Sequence, residues 1–196
     1  MWALLAAHPF IVAVVSMALA TLSYVPLFGW RYAALMILVL LVHELGHMAA
    51  IWSLRLQVET LVFVPLLGAF VTYEQPRIVE HDAVIALSGP AAGALFAWGC
   101  AVAAVSTGDE DLGLLGATGA LFNLLNLMPV PPLDGGRILA VISPSLCGAM
   151  RSDRDDRETI AFYAAPPVQR VCAVLTYLVT AAVLALSFKL ADAVGA

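Results

Sequence analysis

Long apolar segments separated by short charged stretches dominate the pattern of the chain. Residues 10–27 carry no charge, and the apolar segment between Arg31 and Arg55 has Glu44 as its only acidic residue. Three more apolar segments cover residues 82–109, 111–134 and 170–189. A helix needs about 20 apolar residues to cross a hydrocarbon layer about 30 Å thick. The pattern predicts an all-α polytopic membrane protein with about five transmembrane helices.

Residues 56–75 follow a different pattern, in which apolar and polar side chains alternate as they do along a strand. Residues 65–68 are typical of a turn, and residues 69–73 can return as a second strand. We therefore predict a short β-hairpin that is associated with the membrane. Further along, residues 138–150 are predicted to form a partial or interfacial helix, and residues 151–158 to form a solvated loop with alternating charges.

The amino-acid composition is typical of a membrane protein and argues against some classes of partner. Hydrophobic residues make up 62% of the chain and charged residues 12%, against about 45–50% and about 25% in soluble domains. These values exclude a soluble enzyme and a disordered chain. A net charge of -5 without a basic patch argues against a nucleic-acid partner, so the lipid bilayer is the expected surrounding. The three cysteines are scattered and are interpreted as packing residues.

The distribution of lysine and arginine predicts the orientation, because positive charges favour the cytoplasmic side. With five spans, two cations fall on one side of the membrane, Arg31 and Lys189. Seven fall on the other side: Arg55, Arg77, Arg137, Arg151, Arg154, Arg157 and Arg170. The second side is therefore predicted to be cytoplasmic, which places the N-terminus in the cytoplasm.

The second apolar segment contains the string HELGH, with His43, Glu44 and His47. Two histidines at positions i and i+4 share one face of a helix, so both imidazoles can reach one Zn²⁺. Glu44 lies one step around the helix, where its carboxylate can reach a water rather than the metal. Buried polar packing is the alternative, but three polar residues in an apolar span each need a partner.

A catalytic zinc site needs a third protein ligand, and Asp134 is the best candidate. It follows a segment rich in proline, NLMPVPPLDGG, where a helix must break. Irregular backbone at membrane depth is tolerated where it is buried or lines a wet cavity. Capping of the next helix is the alternative role for Asp134. Glu59 and Glu74 are rival third ligands and rank below it.

Two asparagines precede this break in the chain. The amide of Asn126 can donate to a substrate carbonyl or to a developing oxyanion. Asn123 lies one turn earlier and is interpreted as a hydrogen-bonding residue between helices.

HELGH, the later SGPAAG and the string NLMPVPPLDGG occur in an order that resembles the site-2 protease family of intramembrane zinc metalloproteases. The resemblance covers about residues 35–139. It implies one Zn²⁺ per chain held by His43, His47 and Asp134, with Glu44 as catalytic base and Asn126 holding the substrate or the transition state. SGPAAG matches the small-residue motif of the family, whose role we interpret as close helix packing.

The predicted hairpin resembles the membrane-associated β-hairpin beside the active site in that family. A strand edge there can pair with an unwound substrate by β-addition. The candidate substrate-binding residues are Val62, Phe63, Gly68, Ala69 and Phe70. A purely structural re-entrant hairpin is the alternative.

The expected protein is a single integral-membrane protease domain over residues 1–196, with its motifs in about 31–150 and no PDZ or CBS domain. By resemblance it hydrolyses membrane-tethered protein substrates in a bacterial or archaeal cell membrane, with its active site toward the cytoplasm and a regulatory membrane protein as a further partner. The alternatives are a catalytically inactive relative, a metal-binding membrane protein that acts through partners, and a protease of soluble or partly exposed peptides. Intact Glu44 argues against the first two.

Overall fold

The computed structural model describes residues 9–66, 68–74, 79–130, 132–142 and 167–195. The described chain is mostly helical and contains one small antiparallel hairpin. Its elements are α1 (Pro9–Ser53), β1 (Val58–Val64), β2 (Gly68–Tyr73), α2 (Val79–Thr107), α3 (Glu110–Asn126), α4 (Asp134–Ile142) and α5 (Pro167–Gly195). The predicted β-hairpin and the mostly helical character are thus confirmed.

Helix α1 reverses direction at Gly29, where the backbone has φ 80° and ψ 166°. A straight helix would separate Phe10 from Trp52 by about 60 Å at about 1.5 Å per residue. Both residues nevertheless line one apolar cavity. Glycine suits the turn because it adopts positive φ without a steric penalty. We call residues 9–28 the first arm of α1 and residues 30–53 the second arm.

Three helices of the described chain are long and apolar enough to cross a membrane, fewer than the five spans expected from the sequence. They are Pro9–Ser53, His81–Thr107 and Val174–Ala191. The first two predicted spans are the two arms of α1. The fourth predicted span is α3, which has only 17 residues because the chain leaves the helix at Asn126, before the prolines.

The hairpin lies against α1 through strand β1. Val62 pairs with Phe70 and Phe63 pairs with Ala69 in the antiparallel register. Phe63 is buried among side chains from both arms of α1, and its backbone N–H donates to Ser16 Oγ at 3.1 Å. Strand β1 is covered by α1, and among the described residues β2 has one edge without a strand partner.

Helices α2, α3 and α5 form the rest of the bundle around a core of small and branched residues. Alanines from α2 and α3 pack there with Leu184 of α5 and Ile138 of α4. Asp109 caps the start of α3, because its carboxylate accepts from the N–H groups of Asp111 and Leu112. Helix α4 then begins at Asp134 and ends at Ile142. The rest of the predicted partial helix, and the predicted loop over residues 151–158, lie outside the described residues.

Candidate metal centre

Three potential metal ligands from distant parts of the chain converge in the interior. His43 and His47 lie on the second arm of α1, and Asp134 begins α4. The two Nε2 atoms are 3.0 Å apart. Asp134 Oδ2 lies 3.1 Å from His43 Nε2 and 3.3 Å from His47 Nε2. All three residues are buried, and the described residues contain no other group of three or more such ligands.

The outer nitrogen of each imidazole has its own acceptor. His47 Nδ1 donates to the carbonyl oxygen of Ile85 at 2.7 Å. His43 Nδ1 lies 2.7 Å from Asn123 Oδ1. A neutral imidazole that donates from Nδ1 keeps a lone pair on Nε2. Both Nε2 lone pairs therefore face each other and the carboxylate of Asp134.

This arrangement fits a zinc ion. Three acceptor atoms at close range repel one another unless a cation lies between them, and two imidazoles with one carboxylate form a common catalytic zinc ligand set. Three ligands bonded to a tetrahedral zinc at about 2.0–2.1 Å lie about 3.3 Å from one another. The measured separations of 3.0–3.3 Å are close to that value.

Asp134 is buried with its Oδ2 facing both imidazole nitrogens, where a carboxylate can contribute its negative charge to a metal site. The backbone also fits tightly, since a Cβ on Gly135 would lie 2.1 Å from the carbonyl oxygen of Leu127. Glycine at position 135 therefore lets the start of α4 lie against the end of α3.

Glu44 lies beside the three candidate ligands, and all four residues line one cavity. It is buried, and its Oε2 has no hydrogen-bond partner among the described residues. Buried polar atoms are nearly always hydrogen-bonded. An oxygen left without a protein partner at this position is suited to exchanging a proton with a small molecule in the cavity.

A cavity of about 420 Å³ lies over these residues. Asn126 lines it, with Nδ2 donating to the carbonyl oxygen of Phe122 at 3.2 Å. Strand β2 forms another part of the wall. The cavity therefore combines the metal ligands, Glu44, an amide and a strand.

The candidate substrate-binding residues separate into two groups. Gly68, Ala69 and Phe70 line the cavity from β2. Val62 and Phe63 belong to β1 and are not among its lining residues, and Phe63 is buried against α1. The alternation along the sequence identified the hairpin but not which strand faces the cavity.

The rival third ligands do not join the metal group. Glu59 is exposed and lines the apolar cavity between β1 and the two arms of α1. Glu74 is exposed just after β2.

Comparisons with known proteins show a distant likeness to a zinc metalloprotease by name. No protein-family model matches the chain. The chain is 28% identical over 126 residues to a protein of Synechocystis sp. (strain ATCC 27184 / PCC 6803 / Kazusa) named "Putative zinc metalloprotease sll0528". The match covers 61% of this chain. The chain spans only 33% of the length of that relative. This weak likeness suggests a metalloprotease family, and hence a hydrolase.

The small-residue motif SGPAAG lies directly against His47 and Asn123. A Cβ on Gly89 would lie 2.3 Å from His47 Nε2. A Cβ on Gly93 would lie 2.1 Å from Asn123 Nδ2. On the facing helix, a Cβ on Gly46 of HELGH would lie 2.5 Å from the carbonyl oxygen of Ser88. These glycines therefore let α2 approach α1 and α3 closely enough to reach the imidazoles.

Sequence reasoning missed a polar cluster at the rim of the cavity. Arg137 donates from Nη2 to the hydroxyl of Tyr73 and to Asp82 Oδ1, and its Nη1 lies 3.8 Å from Asp134 Oδ1. Burial lowers the pKa of Arg137, but its interactions with Asp82, Tyr73 and Asp134 outweigh burial, so the pKa is raised. Burial also raises the pKa of Tyr73. A basic residue three positions after Asp134 was the available signal.

Proposed function

We propose that the chain is an intramembrane zinc endopeptidase that hydrolyses peptide bonds of membrane-tethered proteins, as the resemblance to the site-2 protease family implies. The observation that supports this most is the convergence of His43, His47 and Asp134 beside a buried Glu44. Two of these ligands lie within a helix that is long and apolar enough to cross a membrane. The distant relative, which is named as a zinc metalloprotease, supports the same chemistry.

In the proposed mechanism the two imidazoles and the carboxylate of Asp134 hold the zinc ion. When bound, zinc supplies a Lewis acid that polarises the scissile carbonyl and makes water more acidic. Glu44 takes a proton from the attacking water, whose oxygen bonds to the carbonyl carbon. Glu44 then passes that proton to the leaving nitrogen as the C–N bond breaks. Asn126 donates to the substrate carbonyl.

The free edge of β2 provides a place for the substrate in this proposal. Peptide bonds within a helix are shielded, so a protease must bind the cleaved segment in an extended form. A strand edge beside the ligands can pair with such a segment through backbone hydrogen bonds. Gly68, Ala69 and Phe70 then contact the substrate, whereas Val62 and Phe63 support the hairpin from behind.

The decisive experiment compares Glu44→Gln with the wild-type chain in detergent or proteoliposomes. We expect the variant to keep one zinc per chain, because Glu44 is not one of the ligands. We expect cleavage of a single-span reporter substrate to fall by about 10²–10⁴-fold, since the proton acceptor is lost. Glu59→Gln is the matched control, because Glu59 is exposed and lies outside the cavity, and it should cleave normally.

Cleavage by Glu44→Gln at the wild-type rate would show that the assigned role is wrong. Tight zinc binding by the wild-type chain without cleavage of any single-span substrate would favour the metal-binding alternative. A cut site outside the bilayer would favour a protease of exposed peptides.

A further inference from the structure

Asn123 is fully buried on α3 and contacts a metal ligand on another helix. Its Nδ2 donates to the carbonyl oxygen of Gly119 at 2.7 Å. Because that carbonyl can only accept, the amide orientation is settled and Oδ1 faces His43. Oδ1 then accepts from His43 Nδ1 at 2.7 Å. Both ends of the amide are therefore engaged within the protein, and Asn123 is not among the residues that line the cavity.

Helix α2 leaves a space for this amide at one position. A Cβ added to Gly93 would lie 2.1 Å from Asn123 Nδ2 and 2.2 Å from Oδ1. Such distances force a shift, and the side chain of Asn123 moves more easily than two helix backbones. A Cβ on Gly99 of the same helix meets nothing within 4 Å.

The two histidines differ in what orients them. His47 is held by the backbone carbonyl of Ile85, which every residue at position 85 supplies. His43 depends on the side chain of Asn123. Hydrogen bonds to the outer nitrogen of a ligating histidine set its tautomer and ring orientation, and their removal costs about 10–100-fold in metal affinity or activity.

We propose that Asn123 is a positioning residue of the metal centre, and that Gly93 provides the space it occupies. The amide holds the ring of His43 with the Nε2 lone pair aimed at the ion. The inference rests on the proposed function in that it takes His43 as a zinc ligand. It assigns Asn123 a role different from the general packing of helices.

The test measures zinc affinity of the purified full chain in detergent, by competition with a chromogenic chelator and without substrate. We expect Asn123→Leu and Gly93→Ala each to bind zinc about 10–100-fold more weakly. The visible absorption spectrum of the Co²⁺-loaded chain should change in both variants, because the ligand field changes when His43 turns. The double variant should be little weaker than Asn123→Leu, since both changes remove the same contact.

Two variants control for packing. Thr118→Val replaces another buried polar residue on α3, and Gly99→Ala adds a methyl group to α2 where there is room. Both should keep the wild-type affinity and Co²⁺ spectrum. If Asn123→Leu fails to fold, Gly93→Ala still tests the contact from the other helix.

Wild-type affinity and spectrum in both variants would overturn the inference while leaving the peptidase proposal intact. If the wild-type chain binds zinc but cleaves nothing, and the two variants bind zinc more weakly as expected, the peptidase proposal fails and the role of Asn123 stands. A wild-type chain that binds no zinc would overturn both.

Discussion

At the scale of single residues, α1 and α2 pack closely because glycines lie where the two helices meet. Gly46 of HELGH lies against the backbone of α2, and a Cβ there would lie 2.5 Å from Ser88 O and 2.7 Å from Ala92 Cβ. A backbone oxygen within a helix cannot turn away as a flexible side chain can. Position 46 is therefore constrained by the neighbouring helix.

We predict that Gly46→Ala lowers the free energy of unfolding by about 1–3 kcal/mol, which is the usual cost of an overpacked core position. Thermal unfolding in detergent measures it. Gly99→Ala is the matched control and should not destabilise, because its added methyl group meets no atom within 4 Å. Equal stability of the two variants would contradict the close approach of α1 and α2.

At the scale of secondary-structure elements, Arg137 joins three of them at the rim of the cavity. Tyr73 ends β2, Asp82 lies near the start of α2, and Arg137 lies in the first turn of α4. The guanidinium also lies over the Tyr73 ring, with Cζ 5.6 Å from the ring centroid. The strand that borders the cavity is thus tied to the helix that begins with Asp134.

We predict that Tyr73→Phe loosens this strand while leaving zinc affinity unchanged. The lost hydroxyl bonds to two charged groups, and such hydrogen bonds contribute about 1.5–3 kcal/mol. In the proposed reaction, the KM for a reporter substrate should rise more than kcat falls. Thr72→Val on the opposite face of β2 is the control and should leave KM unchanged. A loss of zinc with unchanged KM would contradict the assignment.

At the scale of the whole molecule, the ends of the helices sort into two groups. Arg31 forms an ion pair with Asp111, which brings the turn of α1 next to the start of α3. At the rim of the metal-centre cavity, Arg137 lies with Tyr73 at the end of β2 and Asp82 near the start of α2. This sorting is what alternating spans require. The distribution of lysine and arginine predicts which group is cytoplasmic, with Arg31 outside and Arg55 and Arg137 inside.

We predict that a cysteine at position 107 reacts with a membrane-impermeant maleimide in intact cells, whereas one at position 57 does not. Thr107 ends α2 and Gln57 precedes β1, and both side chains are exposed. The native cysteines are first replaced by alanine. The reverse labelling pattern would invert the proposed orientation. Labelling of both positions would contradict a membrane crossing by α2.

The sequence by itself determined the local features of this protein. Apolar length predicts the helices, alternation predicts the hairpin, and a spacing of four residues places His43 and His47 on one helical face. These features depend on neighbours along the chain, so a pattern of residue types suffices to identify them. The prolines likewise predict the break before Asp134.

Only the tertiary structure decided which distant groups meet. It selected Asp134 over Glu59 and Glu74, and it placed β2 rather than β1 beside the ligands. It also paired Asn123 with His43, 80 positions away along the chain. Such contacts follow from how closely whole helices pack, and no local pattern of residue types encodes that packing.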